Sequence, residues 1–267
     1  MRHQPRSSYP PVVSREDHLA ALSVVLGDLG PRACATGISA AVLLGWEVVD
    51  LPARPRVAVP RAHSHLLHPD ADLVRLDLLP AERGRAGLRT LPLVLPPRLL
   101  RELARDLPLA EAVAVVDSAV HGDLPMLEEW RAVTHGWAGP WAGRLARVLA
   151  LADHRAGSPL ESLGRVALTL GGVVPLVPQH RLLLPDGHPY DLLVADGSRV
   201  LIELDGDTHR ERGRFATDLD DGIFGLDEGY LVLRAGWRHV RHQRDAWVAH
   251  VQRQVARQHA QLQTGHR

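Results

Sequence analysis

The chain contains no lysine: all 31 of its basic residues are arginine, so no lysine can serve as a catalytic group. Cysteine is almost as scarce. Cys34 stands alone and can form no internal disulfide, which suits a reducing cytoplasm. No run of about 18 or more apolar residues exists, which excludes an ordinary membrane-spanning helix. The opening stretch MRHQPRSSYPPVV carries positive charge with no apolar core behind it, so no secretory signal is expected and the expected location is cytoplasmic. Net charge is also lacking. A formal charge of +0 gives no whole-protein steering toward nucleic acid.

What is present is an ordinary globular composition, 45% apolar over 267 residues, enough for two cores. The charge is unevenly placed. Residues 205–228 hold eight acids against three arginines, whereas residues 234–267 hold seven arginines, five histidines and one acid. A solvated helix face and a tail that touches phosphates both account for that basic end.

Helical periodicity marks REDHLAALSVVLGDLG and TGISAAVLLGW in the first half, and RVAVP and DLVRLDLLP read as strands. Further helices follow at about 97–106, 109–121, 126–133 and 140–152. The segment DHRAG, residues 153–157, interrupts the apolar period and suggests a boundary, giving domains 1–152 and 153–267. In the second half, SPLESLGRVALTLGG has Ser158 as N-cap, Pro159 at the first helical position and Glu161 three residues after the cap. Strand patterns follow in QHRLLL, PYDLLVA and RVLIELD. A helix at about 214–228, the strand YLVLR and a last helix RDAWVAHVQRQVAR complete the order.

The hairpin turn at Asp196-Gly197 fixes which side chains share a face. A two-residue loop would set Asp191 opposite Ile202 and mix acids with apolar residues on both faces. A three-residue loop with Gly197 left-handed instead groups Tyr190, Leu192 and Val194 with Val200, Ile202 and Leu204. Asp191 then lies on the face of Glu203 and Asp205, about 5 to 8 Å away. Adjacent carboxylates repel unless a cation joins them, and Mg2+ takes one or two carboxylates with water and phosphate completing its shell. Such an ion suits phosphodiester hydrolysis. Calcium binding alone, or exposed acids on an edge strand, is the alternative.

SPLE at a helix start, then YDLLV, IELDGDTH and GYLVLR in that order, resemble the endonuclease-like domain related to the very-short-patch-repair endonucleases, within the PD-(D/E)xK nuclease superfamily. The resemblance covers about residues 158–251. It implies an α/β C-terminal domain, αβββαβα, with a restriction-endonuclease-like mixed sheet. It further implies Asp191 and Glu203 as ligands of Mg2+, with Mn2+ as a substitute, and Glu161 as a further acid reaching the same ion. Asp205 occupies the superfamily's lysine position, and His209 follows where the branch commonly has a histidine assisting proton transfer or holding phosphate. Helix capping is the rival role for Glu161, and a surface position the rival for His209. Gln179 matches a glutamine common beside this site, and Arg234 is a candidate phosphate contact or a strand-end cap. Asp218 assists the site in this reading or is a solvated acid. Where the branch has Arg or Lys three residues beyond that Asp, this chain has Asp221.

TGISAAVLLGW followed by RVAVPR is similar to the N-terminal part of abortive-infection type IV antitoxin-like proteins. That likeness implies a mainly helical α+β N-terminal domain with a winged-helix-like segment. Arg54, Arg56 and Arg61 flank its strand as candidate phosphate contacts, and Ile38, Ala41, Leu43 and Leu44 belong to its core. The expected function is a Mg2+-dependent DNA endonuclease. The alternative is a nuclease fold that no longer cuts and acts as a DNA-binding, antitoxin-like transcriptional regulator.

Overall fold

The computed structural model of the chain describes residues 14–87, 90–181, 189–206 and 229–264. Two compact units divide it, Met1–Leu103 and Ala104–Arg267. Among the described residues no helix is long and apolar enough to cross a membrane.

In the first unit, α1 (Arg15–Leu29) begins where Ser14 Oγ accepts a hydrogen bond from the Asp17 N–H at 3.0 Å. Such a cap is worth about 1 kcal/mol. His18, Leu22, Val25 and Leu26 form its buried stripe, spaced as one face of a helix requires. β1 (Cys34–Ala35), α2 (Gly37–Leu43), β2 (Arg56–Val59), β3 (Asp72–Arg75), β4 (Arg83–Ala86), β5 (Leu91–Val94) and α3 (Pro96–Asp106) follow. The strands make one five-stranded sheet ordered β3-β2-β1-β5-β4. It is mixed: β1 runs antiparallel to β2 and parallel to β5.

The five-stranded sheet is the β part of the mainly helical α+β pattern expected for residues 1–152, whose helices continue beyond it. Three strands escape the sequence pattern for physical reasons. β1 is two residues long and buried, so it shows no alternation; β4 contains Gly84 and β5 contains Pro92, residues that ordinarily argue against a strand. Several polar groups in this core are matched internally. His18 Nε2 lies 2.9 Å from Ser39 Oγ, Ser39 Oγ accepts from the Arg56 N–H at 2.8 Å, and Thr36 Oγ1 donates to Glu102.

The second unit opens with α4 (Leu109–Ala119), α5 (Leu124–Thr134) and α6 (Ala142–Leu151), then α7 (Pro159–Leu170). The second compact unit starts at Ala104, ahead of these helices. Buried ties hold α7 to the helices before it: Arg165 of α7 donates to Asp117 of α4 at 2.6 Å and to the Leu151 carbonyl at 2.6 Å. The connection at 153–157 is itself held, since the Asp153 N–H donates to Asp117 at 2.8 Å and His121 Nδ1 meets the Ala156 carbonyl at 2.9 Å.

The sheet of this unit holds β6 (Leu176–His180), β7 (Tyr190–Val194), β8 (Val200–Asp205) and β9 (Leu231–Gly236), in sequential order. β6, β7 and β8 form an antiparallel meander, and β9 runs parallel to β8. α7 is buried along its whole middle, Leu160 to Leu168, as a helix enclosed on every side must be. Gly164 permits its approach, because a Cβ there would stand 2.6 Å from Leu204 Cδ1. After β9, a π-helical turn (Arg238–His242) leads into α8 (Arg244–Thr264), anchored by Trp247 and Val251. The expected helix at about 214–228 lies outside the described residues. Both units are thus mixed α/β, each built on a mixed sheet.

Candidate functional site

The pairs Leu192↔Ile202, Leu193↔Leu201 and Val194↔Val200 give the hairpin the register that a three-residue loop sets, with Gly197 at φ 88°. One further step along the ladder brings Asp191 opposite Glu203. Strand alternation then puts both acids on one face, as the sequence pattern predicted. On the other side of β7, the pairs Pro178↔Leu192 and His180↔Tyr190 bracket Gln179 against Asp191. On the other side of β8, Glu203 is in register with Arg234. A single polar row therefore crosses the sheet from an amide through two carboxylates to a guanidinium.

Two members of the row are positioned by local causes. Asp191 Oδ2 accepts the Leu204 N–H at 2.6 Å, which bends the carboxylate across to β8. Gln179 adopts a left-handed backbone, φ 51°, unusual for a residue with a side chain and costly by about 1–3 kcal/mol. Its amide donates to Glu161 Oε2 at 2.8 Å.

Glu161 is only 9% exposed. Its own N–H donates to the N-cap Ser158 Oγ at 3.2 Å, while its Oε2 accepts the Gly157 N–H at 2.9 Å. Capping and proximity to the acids are thus combined in one residue. The backbone group it takes belongs to Gly157, one position before the N-cap of the usual capping box.

Electrostatics separate this cluster from ordinary surface acids. Burial pushes the Asp191 carboxyl up to about 7, and the neighbouring carboxylates of Glu161 and Asp205 push the same way. The Leu204 N–H and Arg234 pull in the opposite direction without cancelling them. Asp205, exposed at the end of β8, has Oδ2 3.8 Å from Arg234 Nη1. Asp191 therefore responds to two other acids and to one cation.

Among the described residues, no group of three or more His, Cys, Asp or Glu side chains stands ready to hold a metal ion. The expected convergence of Glu161, Asp191 and Glu203 as three ligands is accordingly not formed, because Glu161 is turned to Gly157 and Gln179. The donor chemistry that remains, oxygen from Asp191 and Glu203 with surplus negative charge, still fits a hard divalent cation that keeps most of its water. His209, Asp218 and Asp221 lie outside the described residues.

In the first unit, the candidate phosphate contacts are engaged locally. Arg54 donates to the Pro69 carbonyl at 3.3 Å, Arg56 lies 3.5 Å from Asp72 and Arg61 lies 3.9 Å from Asp77. Of the four expected core residues, Ala41 and Leu43 are buried, while Ile38 and Leu44 are half-buried. The sequence reading gave no role to His239. A bond between its ring and a backbone N–H three residues earlier leaves no sequence signal, and neither does the π-helical turn that makes it possible.

No family model and no curated protein matches the chain. One solved structure similar to part of it is the RV2827C protein from Mycobacterium tuberculosis, with 20% identity and a TM-score of 0.34. The likeness covers 56% of this chain and 57% of that one, so the chain spans little more than half of that protein's length. At that size it assigns neither fold nor activity.

Proposed function

We propose that the second unit is a divalent-cation-dependent DNA endonuclease, its αβββ-βα order being a restriction-endonuclease-like core, in keeping with the motif resemblance. The observation that carries the reading is Asp191: a half-buried acid pushed up to about 7 by burial and by neighbouring carboxylates, in one row with Glu203. A purely structural carboxylate is ordinarily placed beside a cation, whereas perturbed acids gathered together are characteristic of sites that receive one.

Asp191 and Glu203 would hold Mg2+ or Mn2+. Glu161, fixed by Gly157 and Gln179, keeps negative charge behind Asp191. A bound ion there supplies Lewis acidity, activating water and neutralising charge on the departing oxygen. Asp205 at the mouth of the site orients water, and its ion pair with Arg234 holds it at the strand end. His209 assists proton transfer or contacts phosphate. In the first unit, a winged-helix-like segment at about 36–61 brings the enzyme to DNA.

A second reading, a non-cutting DNA-binding regulator of the antitoxin-like kind, is favoured by Arg234 alone. Its guanidinium already offsets part of the negative charge without any metal. Nicking of supercoiled plasmid by the full chain with Mg2+ or Mn2+ separates the two. The expected result is nicking that falls by about 100-fold or more in Asp191→Asn and Glu203→Gln, since losing even an outer-shell partner of a metal ligand costs about 10–100-fold. Nicking unaffected by either substitution removes the site. Metal-independent retention of promoter DNA without nicking selects the regulator.

A further inference from the structure

Three basic residues, Arg234, Arg238 and His239, lie close together in the chain where β8 and β9 end. Asp205 and Gly236 are in register there, so the turn that follows β9 starts directly beside the acidic end of β8. The approach is close: a Cβ at Gly236 would stand 3.0 Å from the Asp205 carbonyl oxygen. Arg234 lies beside Asp205 with its side chain 40% exposed. The π-helical turn is pinned by Val240, which is buried, while Arg238 and His239 are exposed.

His239 is not simply a surface histidine. Its Nδ1 accepts the Gly236 N–H at 3.2 Å. That bond fixes the tautomer, because a nitrogen that accepts from the backbone cannot carry the ring proton of the neutral form. Nε2 therefore carries it and is a donor at every degree of protonation. A π-helical turn is rare and its insertions concentrate at functional sites. Here the turn places a preset imidazole donor and an arginine immediately past the strand that carries Arg234.

We infer that Arg234, Arg238 and His239 form the phosphate-binding rim of the carboxylate site and hold the backbone of duplex DNA. The inference rests on the proposed DNA-directed reading of that site, and it supplies what the acids lack. A pocket of carboxylates repels a polyanion until a cation enters. In a chain without lysine, and with an acid at Asp205, fixed positive charge next to the site has to come from arginine. Two guanidinium groups and one N–H donor have the charge and the hydrogen-bonding chemistry that phosphate oxygens accept.

The test is fluorescence anisotropy of the full chain with a labelled duplex in EDTA, across a salt series, beside plasmid nicking with Mg2+. The triple variant Arg234→Gln, Arg238→Gln, His239→Gln should bind more weakly. The slope of log K against log salt should flatten by about 1.8, or about 0.9 for each arginine removed. Replacing both arginines by lysine while keeping His239 should restore most of the slope, which distinguishes lost charge from lost folding.

If the wild type nicks plasmid and the triple variant keeps its slope and its KM, the rim is wrong and the nuclease stands. If the triple variant loses binding while wild type never nicks with either metal, the rim stands and the nuclease falls. Absence of salt-dependent duplex binding in wild type overturns the rim outright.

Discussion

Asp117 and Asp191 are both acids taken into the second unit, and they are treated in opposite ways. Asp117, 1% exposed, has Arg165 Nη2 at 2.6 Å from Oδ2 and the Asp153 N–H at 2.8 Å from Oδ1. Burial pushes its carboxyl up, and Arg165 pulls it back. Asp191 is likewise pushed up by burial, and two further acids, Glu161 and Asp205, add to that push. One carboxylate welds α4 to α7. The other is kept at a disadvantage that only an added cation or proton relieves. The difference shows which acid serves the fold and which is held for a ligand: the structural one arrives with its counter-ion.

The largest expected effect tests that contrast directly. Arg165→Met strands Asp117 as an unpaired buried charge and should cost about 3–5 kcal/mol in urea unfolding. Asp191→Asn keeps an oxygen for the Leu204 N–H and removes the repulsion from Glu161 and Asp205, so at pH 8 it should be neutral or stabilising. Equal losses in the two variants would erase the distinction.

The second effect is the pH dependence that Asp191 imposes. Its folded value of about 7 lies above the unfolded carboxylate value near 3.9, so the folded state holds the proton longer. Stability from this group is therefore fully present below about pH 4 and is lost as pH rises through 7, on the order of 4 kcal/mol for the whole shift. Asp191→Asn should flatten that part of the stability profile. A wild-type profile that rises steadily from pH 5 to pH 8, unchanged by the substitution, would contradict the placement of Asp191 among carboxylates.

The same contrast explains what the sequence could disclose. Ser158, Pro159 and Glu161 announced α7 because capping chemistry is local. The Asp196-Gly197 turn with alternating β7 and β8 announced the register, and with it the shared face of Asp191 and Glu203. Asp117 and Arg165 are 48 positions apart and meet only through packing of α4 on α7, so the pair that joins residues 109–151 to the second unit was invisible. Short buried strands, a left-handed Gln179 and the ring of His239 bonded to Gly236 are likewise set by neighbours remote from, or unmarked in, the local pattern. The orientation of Glu161 toward Gly157 and Gln179, and not toward a shared ion with Asp191 and Glu203, belongs to the same group.

The smallest effect converts one kind of acid into the other. Gln179 donates a neutral amide to Glu161 Oε2 at 2.8 Å, the place that Arg165 fills for Asp117 with a charge. Gln179→Lys exchanges that amide for an ammonium of similar reach, on a backbone whose left-handed strain is no greater for lysine than for glutamine. The added cation should favour the ionised cluster, move Asp191 back toward the usual carboxylate range and raise stability at pH 8 by about 1 kcal/mol, a value set by partial solvent screening. At pH 5, where Asp191 holds its proton, the gain should shrink. The measurement is the difference in unfolding free energy between the two pH values for wild type and variant. If Gln179→Lys leaves that difference intact, the charge behind Asp191 is not Glu161, and the cluster has been assembled from the wrong acids.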